Sequence, residues 1–434
     1  MELNPNKPPK SQTMEGNEVS SNLSAFLNSG IYHLDGSNVV FVDPVRILNG
    51  CYTRFRLSGS AYYSRSFKSN IKAQAVEDAI DSSNSKKKKR KRKRNSCRVL
   101  NERETAAENR HQGVRPLLLN AHNALLEVTD LLRFLPNIMK GEEDSFCDMR
   151  GEEQNFMDLA SHSQSSHYEI CLCSGSRDTK EEGEGSLHDY GRTVPLFSNL
   201  ISNHLTDEIE CEFLSRRYIV PCRSCFYTSD LRQVRDLIPA QSDLGFNLIV
   251  IDPPWENGSV HQKAMYPTLP NRYFLYLPVK ELAHSEGALV ALWMTNREKH
   301  RIFVEKELFP AWGVAHVTVL YWLKVKPDGS LIGELDLFHH RPYESLLVGY
   351  VNTKTADLED PPPAFRYLQN NQVFISIPGA YSRKPPLGKL IGDHIPGPKP
   401  AKCLELFARE LVAGWTSWGN EPLRFQDAKY FTEK

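Results

Sequence analysis

From residue 246 onward, apolar runs of strand length recur along the chain: 246–251, 288–294, 314–324, 343–351, 373–378 and 402–407. Runs of this length that do not alternate with polar residues suit strands buried on both faces. Between them, 279–283 behind Pro278, 297–308 ahead of Pro310, and 386–395 carry helix signals. Strands separated by helices predict an α/β domain over 193–434, with a mostly parallel sheet and helices on both faces.

The upstream half reads differently. Leu117, Leu118, Ala121, Leu125, Val128, Leu132 and Leu135 recur at helical spacing, with Pro116 suited to a first turn and Pro136 to an end. This predicts a helix over 114–139 with one face to bury, within a helical segment 98–140. In the segment 21–72, Val39-Val40-Phe41-Val42 reads as a short strand, 52–57 alternates, and Tyr62-Tyr63 adds aromatic bulk. That is too little to fold alone, so it is expected to pack on a later domain. Residues 1–20 are polar, and 141–192 are acidic, Ser/Gly-rich and without apolar period; both read as disordered.

Charge adds one feature. The 434 residues hold 53 Lys plus Arg against 53 Asp plus Glu, so the whole chain offers no electrostatic argument for a nucleic-acid partner. The balance is segregated, however. Lys86-Lys87-Lys88-Lys89-Arg90-Lys91-Arg92-Lys93-Arg94 lies in a linker, 73–97, and reads as a nuclear localisation signal. The nine cysteines are irregularly spaced. Cys222 and Cys225 lack a second pair, and Cys171 and Cys173 fall in the acidic insertion, so no zinc site is expected. The odd count and the lack of a secretory signal predict a reducing intracellular compartment. No apolar stretch approaches membrane-spanning length.

The sharpest chemistry is Asp252-Pro253-Pro254-Trp255, directly behind the run 246–251. Its bland reading is a turn closing a strand. Ligands of open α/β sheets, however, bind beyond the carboxyl ends of strands, where this corner falls. The prolines fix φ and set the direction of their carbonyls. A carboxylate and a backbone carbonyl can each accept one N–H of an exocyclic arylamine, and Trp255 can stack the ring, worth roughly 1–3 kcal/mol. An adenine N6 is a poor nucleophile because its lone pair is delocalised into the ring. Accepting both N–H bonds favours pyramidalisation and stabilises the developing charge. Asp252 is thereby an acceptor, not a base that strips a neutral arylamine of its proton.

These residues, with Leu292-Trp293-Met294-Thr295-Asn296-Arg297, Ser382-Arg383-Lys384-Pro385-Pro386, Leu404-Glu405-Leu406-Phe407-Ala408-Arg409 and Gly414-Trp415-Thr416-Ser417-Trp418-Gly419-Asn420-Glu421, resemble the Asp-Pro-Pro-Trp family of adenine-N6 methyltransferases. The similarity covers about the last 240 residues and looks closest to the branch called methyltransferase-like protein four. It implies a Rossmann-like domain dependent on S-adenosylmethionine, with Glu405, Phe407, Arg409 and Asn420 lining the cofactor pocket and Lys384 near the methionine carboxylate or Asp252. By pattern alone, Glu405 is either a ribose ligand at a strand end or the partner of Arg409. No Gly-x-Gly loop occurs, and the cofactor strand 402–407 follows the catalytic one by about 150 residues, a permuted order. Glu421 stands where better-known relatives carry an amide, and their His-Asn pair is absent after Arg409-Glu410-Leu411. Asp230 is expected near the cofactor adenine.

On the substrate side, Gly258, His261, Lys263, Tyr266, Arg272 and Tyr273 mix basic and aromatic residues in a loop suited to closing over a flipped-out or single-stranded adenosine. Trp293, Asn296 and Arg297 follow the second strand. His340 and Arg341, within His339-His340-Arg341-Pro342-Tyr343-Glu344, repeat the mix; two adjacent histidines do not make a metal site. The resemblance implies RNA, an internal 2′-O-methyladenosine of a spliceosomal small nuclear RNA, with DNA as the alternative. A catalytically silent RNA-binding subunit is a reading of another class, opposed by the presence of both Asp252 and Trp255. The extra helix and N-terminal segment favour a monomer over a heterodimer.

Overall fold

The computed structural model describes residues 21–34, 36–63, 100–139, 154–156, 158–159, 168–173, 191–256, 268–338, 340–352, 368 and 371–434. The basic run Lys86–Arg94, Lys263, Tyr266 and most of 141–192 lie outside them.

Among the described residues, eleven strands form the central sheet. Leu248–Ile251 lies between Ala288–Met294 and Cys403–Leu406, parallel to both, and Trp415–Gly419 and Cys225–Thr228 extend it in parallel. On the other flank, Tyr343–Val351 and Ala315–Lys324 are antiparallel to their predecessors, and Val373–Ser376 is parallel to Ala315–Lys324. Val39–Val42, from the N-terminal segment, then pairs in parallel with Val373–Ser376. Six of the ten pairings are parallel. Every residue of Leu248–Ile251 and Ala288–Met294 is buried, so their unbroken apolar runs face a covering layer on each side. The cores on the two faces gather around Val234, Phe274 and Trp312 on one and Leu387, Ile391 and Ile395 on the other.

Three expectations change. The helix predicted over 114–139 is two helices, Glu102–Glu127 and Thr129–Ile138, with Pro116 and Pro136 inside them and not at their ends. The first starts earlier because Asn101 and Glu104 form a reciprocal capping box. Second, Pro310 does not end the helix that begins at Glu298. A wider π turn, Val304–Leu308, precedes it, the helix resumes over Phe309–Trp312, and Gly313 stops it at φ 69°. Third, part of the acidic insertion is ordered. Glu169–Cys173, carrying Cys171 and Cys173, joins Arg192–Pro195, Ile209–Phe213 and Arg216–Val220 in a four-stranded sheet. Among the described residues no helix is long and apolar enough to cross a membrane.

Candidate active site

Ile251 pairs with Leu406, and Asp252 leaves the sheet one residue later, at the carboxyl ends of the central parallel strands. The corner that follows is tight. Trp255 N–H donates to the Pro253 carbonyl at 2.8 Å, and Leu269 N–H to the Pro254 carbonyl at 3.1 Å. Each carbonyl keeps a second lone pair for an incoming donor.

Two cations flank the Asp252 carboxylate. Lys384 Nζ is 3.4 Å from Oδ1, and Arg409 Nη2 is 3.9 Å from Oδ2. Lys384 also reaches Glu344 Oε2 at 3.3 Å, and Glu344 pairs with Lys324. The result is an alternating ladder, Lys324–Glu344–Lys384–Asp252–Arg409. Burial acts to depress the Lys384 pKa, but Asp252 and Glu344 outweigh it and hold the ammonium above its usual range. Burial acts to raise Glu344, yet Lys324 and Lys384 bring it down to about 2. Glu405 goes the other way, to about 8: burial raises it first, Asp252 and Glu410 add repulsion, and Arg409 offsets only part.

Asp252, Lys384, Glu405 and Arg409 open on one cavity of about 520 Å³, lined also by Trp293 and Phe407, with Leu48 and Cys51 reaching in from the N-terminal segment. Phe407 is held at φ 63°, its ring edge-on to Phe274 and Trp418. A molecule carrying a cationic centre and a carboxylate suits this lining, since it meets unrelieved acid at Glu405 and ammonium or guanidinium at Lys384 and Arg409. Asn420, Glu421 and Asp230 do not line the cavity. They stand beside it on the loops leaving Trp415–Gly419 and Cys225–Thr228, joined by the Ser229 N–H to Gly419 carbonyl bond of 3.2 Å. Asp230 caps the turn Leu231–Leu237 and pairs with Arg232, while Glu421 accepts from Arg424 at 2.8 Å.

The indole does not present the free face expected of it. Trp255 is 5 % exposed, its Nε1–H donates to the Trp293 carbonyl at 2.9 Å, and its ring stacks on His300 at 5.0 Å with Phe274 edge-on. Its task in this geometry is to bolt the proline corner to the neighbouring strand. Burial first, then Arg297 and Lys299, push the His300 pKa down to about 4, so the stacked imidazole is neutral.

Around the substrate side, Arg272 and Tyr273 are exposed on the turn Asn271–Tyr276, which Asn271 Oδ1 ties to the Glu256 N–H at 3.3 Å. Trp293 is buried against Trp322 and Phe374. Asn296 Nδ2 donates to the Tyr343 carbonyl at 2.7 Å, Arg297 immediately precedes the helix Glu298–Phe303 without a side-chain cap bond, and His340 is exposed at φ 61°. Arg341 departs from expectation. It is 8 % exposed and donates to Glu108 Oε2 at 2.6 Å and to the Leu337 carbonyl at 2.9 Å, so the long helix Glu102–Glu127 neutralises it. Sequence reasoning also passed over Lys324, Glu344, Arg383 and Glu410. For Lys324 and Glu344 the one signal is a charged residue at the rim of an otherwise apolar run; Arg383 and Glu410 carry none. Among the described residues no group of three or more His, Cys, Asp or Glu could hold a metal ion.

Comparison with known proteins agrees with this site. The MT-A70 family model matches residues 246–421. The N(6)-adenine-specific methyltransferase METTL4 of Mus musculus is 34 % identical over 348 residues, covering 78 % of this chain and 70 % of that protein. The N6-methyladenosine RNA methyltransferase MTA1 of Pyricularia oryzae is 32 % identical over 255 residues, 56 % of this chain and 64 % of that one. The DNA N6-methyl methyltransferase of Caenorhabditis elegans is 33 % identical over 221 residues, 50 % and 56 % of the two chains. MT-A70 methyltransferases depend on S-adenosylmethionine. The chain belongs to the MT-A70 family, on its METTL4 branch, and is an adenine-N6 methyltransferase of nucleic acid.

Proposed function

We propose that the enzyme methylates N6 of an adenosine in RNA, an internal 2′-O-methyladenosine of a spliceosomal small nuclear RNA. Membership of the METTL4 branch supports this target. The observation that carries the chemistry is Asp252, at the carboxyl rim of the sheet, between Lys384 and Arg409 and against the cavity that holds Glu405.

In this reading Lys384, Glu405, Phe407 and Arg409 hold S-adenosylmethionine, with Asn420 at the margin. When bound, the cofactor supplies a methyl group on a sulfonium, open to attack in line. Asp252 accepts one N–H of the adenine amine and a proline carbonyl accepts the other. Both bonds strengthen as positive charge grows on the nitrogen. Lys384 and Arg409 keep the carboxylate aimed, and Trp255 and His300 keep the corner rigid. The nitrogen sheds its surplus proton to water. Arg272 and Tyr273 meet the flanking strand, with phosphate charge on one and a base face on the other.

A monomer is supported by the helix Glu102–Glu127, which already pairs with substrate-side elements through Arg110–Glu298, Glu108–Arg341 and Arg115–Asp336. A nuclear location is supported by Lys86–Arg94. Deletion of that run should leave the protein in the cytoplasm, and unchanged nuclear accumulation would refute it. For the reaction, purified protein is given labelled cofactor with matched RNA and DNA oligonucleotides, with and without a 2′-O-methyl on the target. Label should enter the 2′-O-methylated RNA and vanish in Asp252→Ala. Preference for DNA would replace the substrate assignment; equal label in the variant would remove the site.

A further inference from the structure

One residue before Lys384 and one residue after Arg409 stand the members of a second, buried ion pair. Arg383 is 3 % exposed and its guanidinium pairs with the Glu410 carboxylate. Both faces of that guanidinium are closed. The Tyr62 ring lies 4.1 Å away and the Phe425 ring 4.2 Å away. The two loops are tied again by Arg409 itself, which donates to the carbonyls of Tyr381 at 2.9 Å and Ser382 at 3.3 Å.

The loop ahead of Lys384 needs such support. Tyr381 and Ser382 both take left-handed backbone angles, φ 54° and 59°, which side chains with a Cβ adopt reluctantly. Gly379 lies so close to Tyr62 that a Cβ there would meet the ring at 2.9 Å. Tyr62 O–H also reaches the Lys384 carbonyl at 3.5 Å, and the adjoining Tyr63 donates to Asp43 at 2.7 Å. The N-terminal segment therefore presses directly on the loop that delivers the Lys384 ammonium to Asp252. Planarity matters here, because only a flat cation can lie between two rings and still face a carboxylate edge-on.

We infer that Arg383 is a positioning residue for methyl transfer: its pair with Glu410, clamped between Tyr62 and Phe425, sets where Lys384 stands against Asp252. The inference rests on the reading of Asp252 as the group that holds the amine. It makes residues 59–63 a working part of the active site, although they lie outside the family match.

The test is a cycle on the full chain. Arg383→Lys keeps the charge on Glu410 and loses the flat stack; Tyr62→Leu loosens the same clamp from the other side. Each is made with Lys384 intact and with Lys384→Met, and kcat, KM for the cofactor, calorimetric cofactor affinity and melting temperature are measured. With Lys384 present, Arg383→Lys should lower kcat about tenfold, and with Lys384→Met by less than about twofold, because the lost alignment acts through that lysine. Tyr62→Leu should show the same dependence and keeps the test standing if Arg383→Lys does not fold. Where Lys384→Met turns over too slowly to measure, cofactor affinity decides: it should weaken only when Lys384 is present. An equal loss in both backgrounds, or a lower melting temperature with kcat unchanged, overturns the inference. Wild type that transfers no more methyl than Asp252→Ala would instead remove the reading beneath it.

Discussion

Replacing Glu405 with Gln should stabilise the cofactor-free enzyme, and by an amount that depends on pH. Glu405 lies on Cys403–Leu406 opposite Val250 and Ser417, inside the cavity. Burial, then Asp252 and Glu410, raise its pKa from 4.5 to about 8. The folded chain therefore holds this proton more tightly than the unfolded chain does. Such a group contributes stability in full below about pH 4.5, and loses it as the pH climbs through about 8. Each pH unit in that window is worth about 1.4 kcal/mol, so the swing is on the order of 5 kcal/mol. Glutamine has the same shape and no charge to bury. Near pH 5 the two proteins should melt within roughly 2 °C of each other; near pH 8.5 the variant should melt on the order of 5 °C higher. Scanning calorimetry across that range reads the difference directly. The same carboxyl should ionise as a cationic cofactor binds beside it. Titrations near pH 7.5 in buffers of different ionisation enthalpy should then show roughly 0.7 of a proton released, and none for Glu405→Gln. A melting difference that stays flat with pH, together with binding that releases no proton, would refute the placement of this charge.

Two more perturbations follow from the geometry around the corner. Trp255→Phe keeps an aromatic against His300 but loses the bond to the Trp293 carbonyl, so denaturant unfolding should show a loss of about 1–2 kcal/mol. Trp255→Ala should cost about 3–5 kcal/mol, and an unchanged stability with weakened RNA binding would restore the indole to the substrate face. Arg341→Ala removes a buried guanidinium that bonds Glu108 and the Leu337 carbonyl, and should destabilise the fold by about 1–3 kcal/mol, while the salt dependence of RNA binding stays as it was. A slope shallower by about one would mean that Arg341 touches phosphate after all.

How far the sequence could be read depended on the range of the interactions involved. The strand Ala288–Met294 matches its apolar run residue for residue, because burial on both faces leaves no polar position to blur the ends. The helix start at Asn101 was missed because a capping box is a pair of side-chain bonds and leaves no mark on apolar spacing. Pro310 misled because a wider turn removes the need for its missing N–H. At the site, Asp252, Lys384, Glu405, Phe407 and Arg409 were legible as motifs and do gather at one cavity. Glu344 and Lys324 were not, since they meet only through the register of two antiparallel strands, and Arg383 and Glu410 only through two separate loops. Trp255 carried the right neighbourhood and the wrong task, because no local pattern tells a buried indole from a presented one.

The pairing of Val39–Val42 with Val373–Ser376 has a practical corollary for anyone trimming this enzyme. Cut down to residues 246–421, the chain would bare the backbone donors and acceptors along Val373–Ser376 and uncover Phe374 and Ile375, both buried in the intact protein. A flat apolar border of that kind recruits other chains. Such a fragment should clump, and its silence in an assay would then reflect a lost seam and say nothing about chemistry.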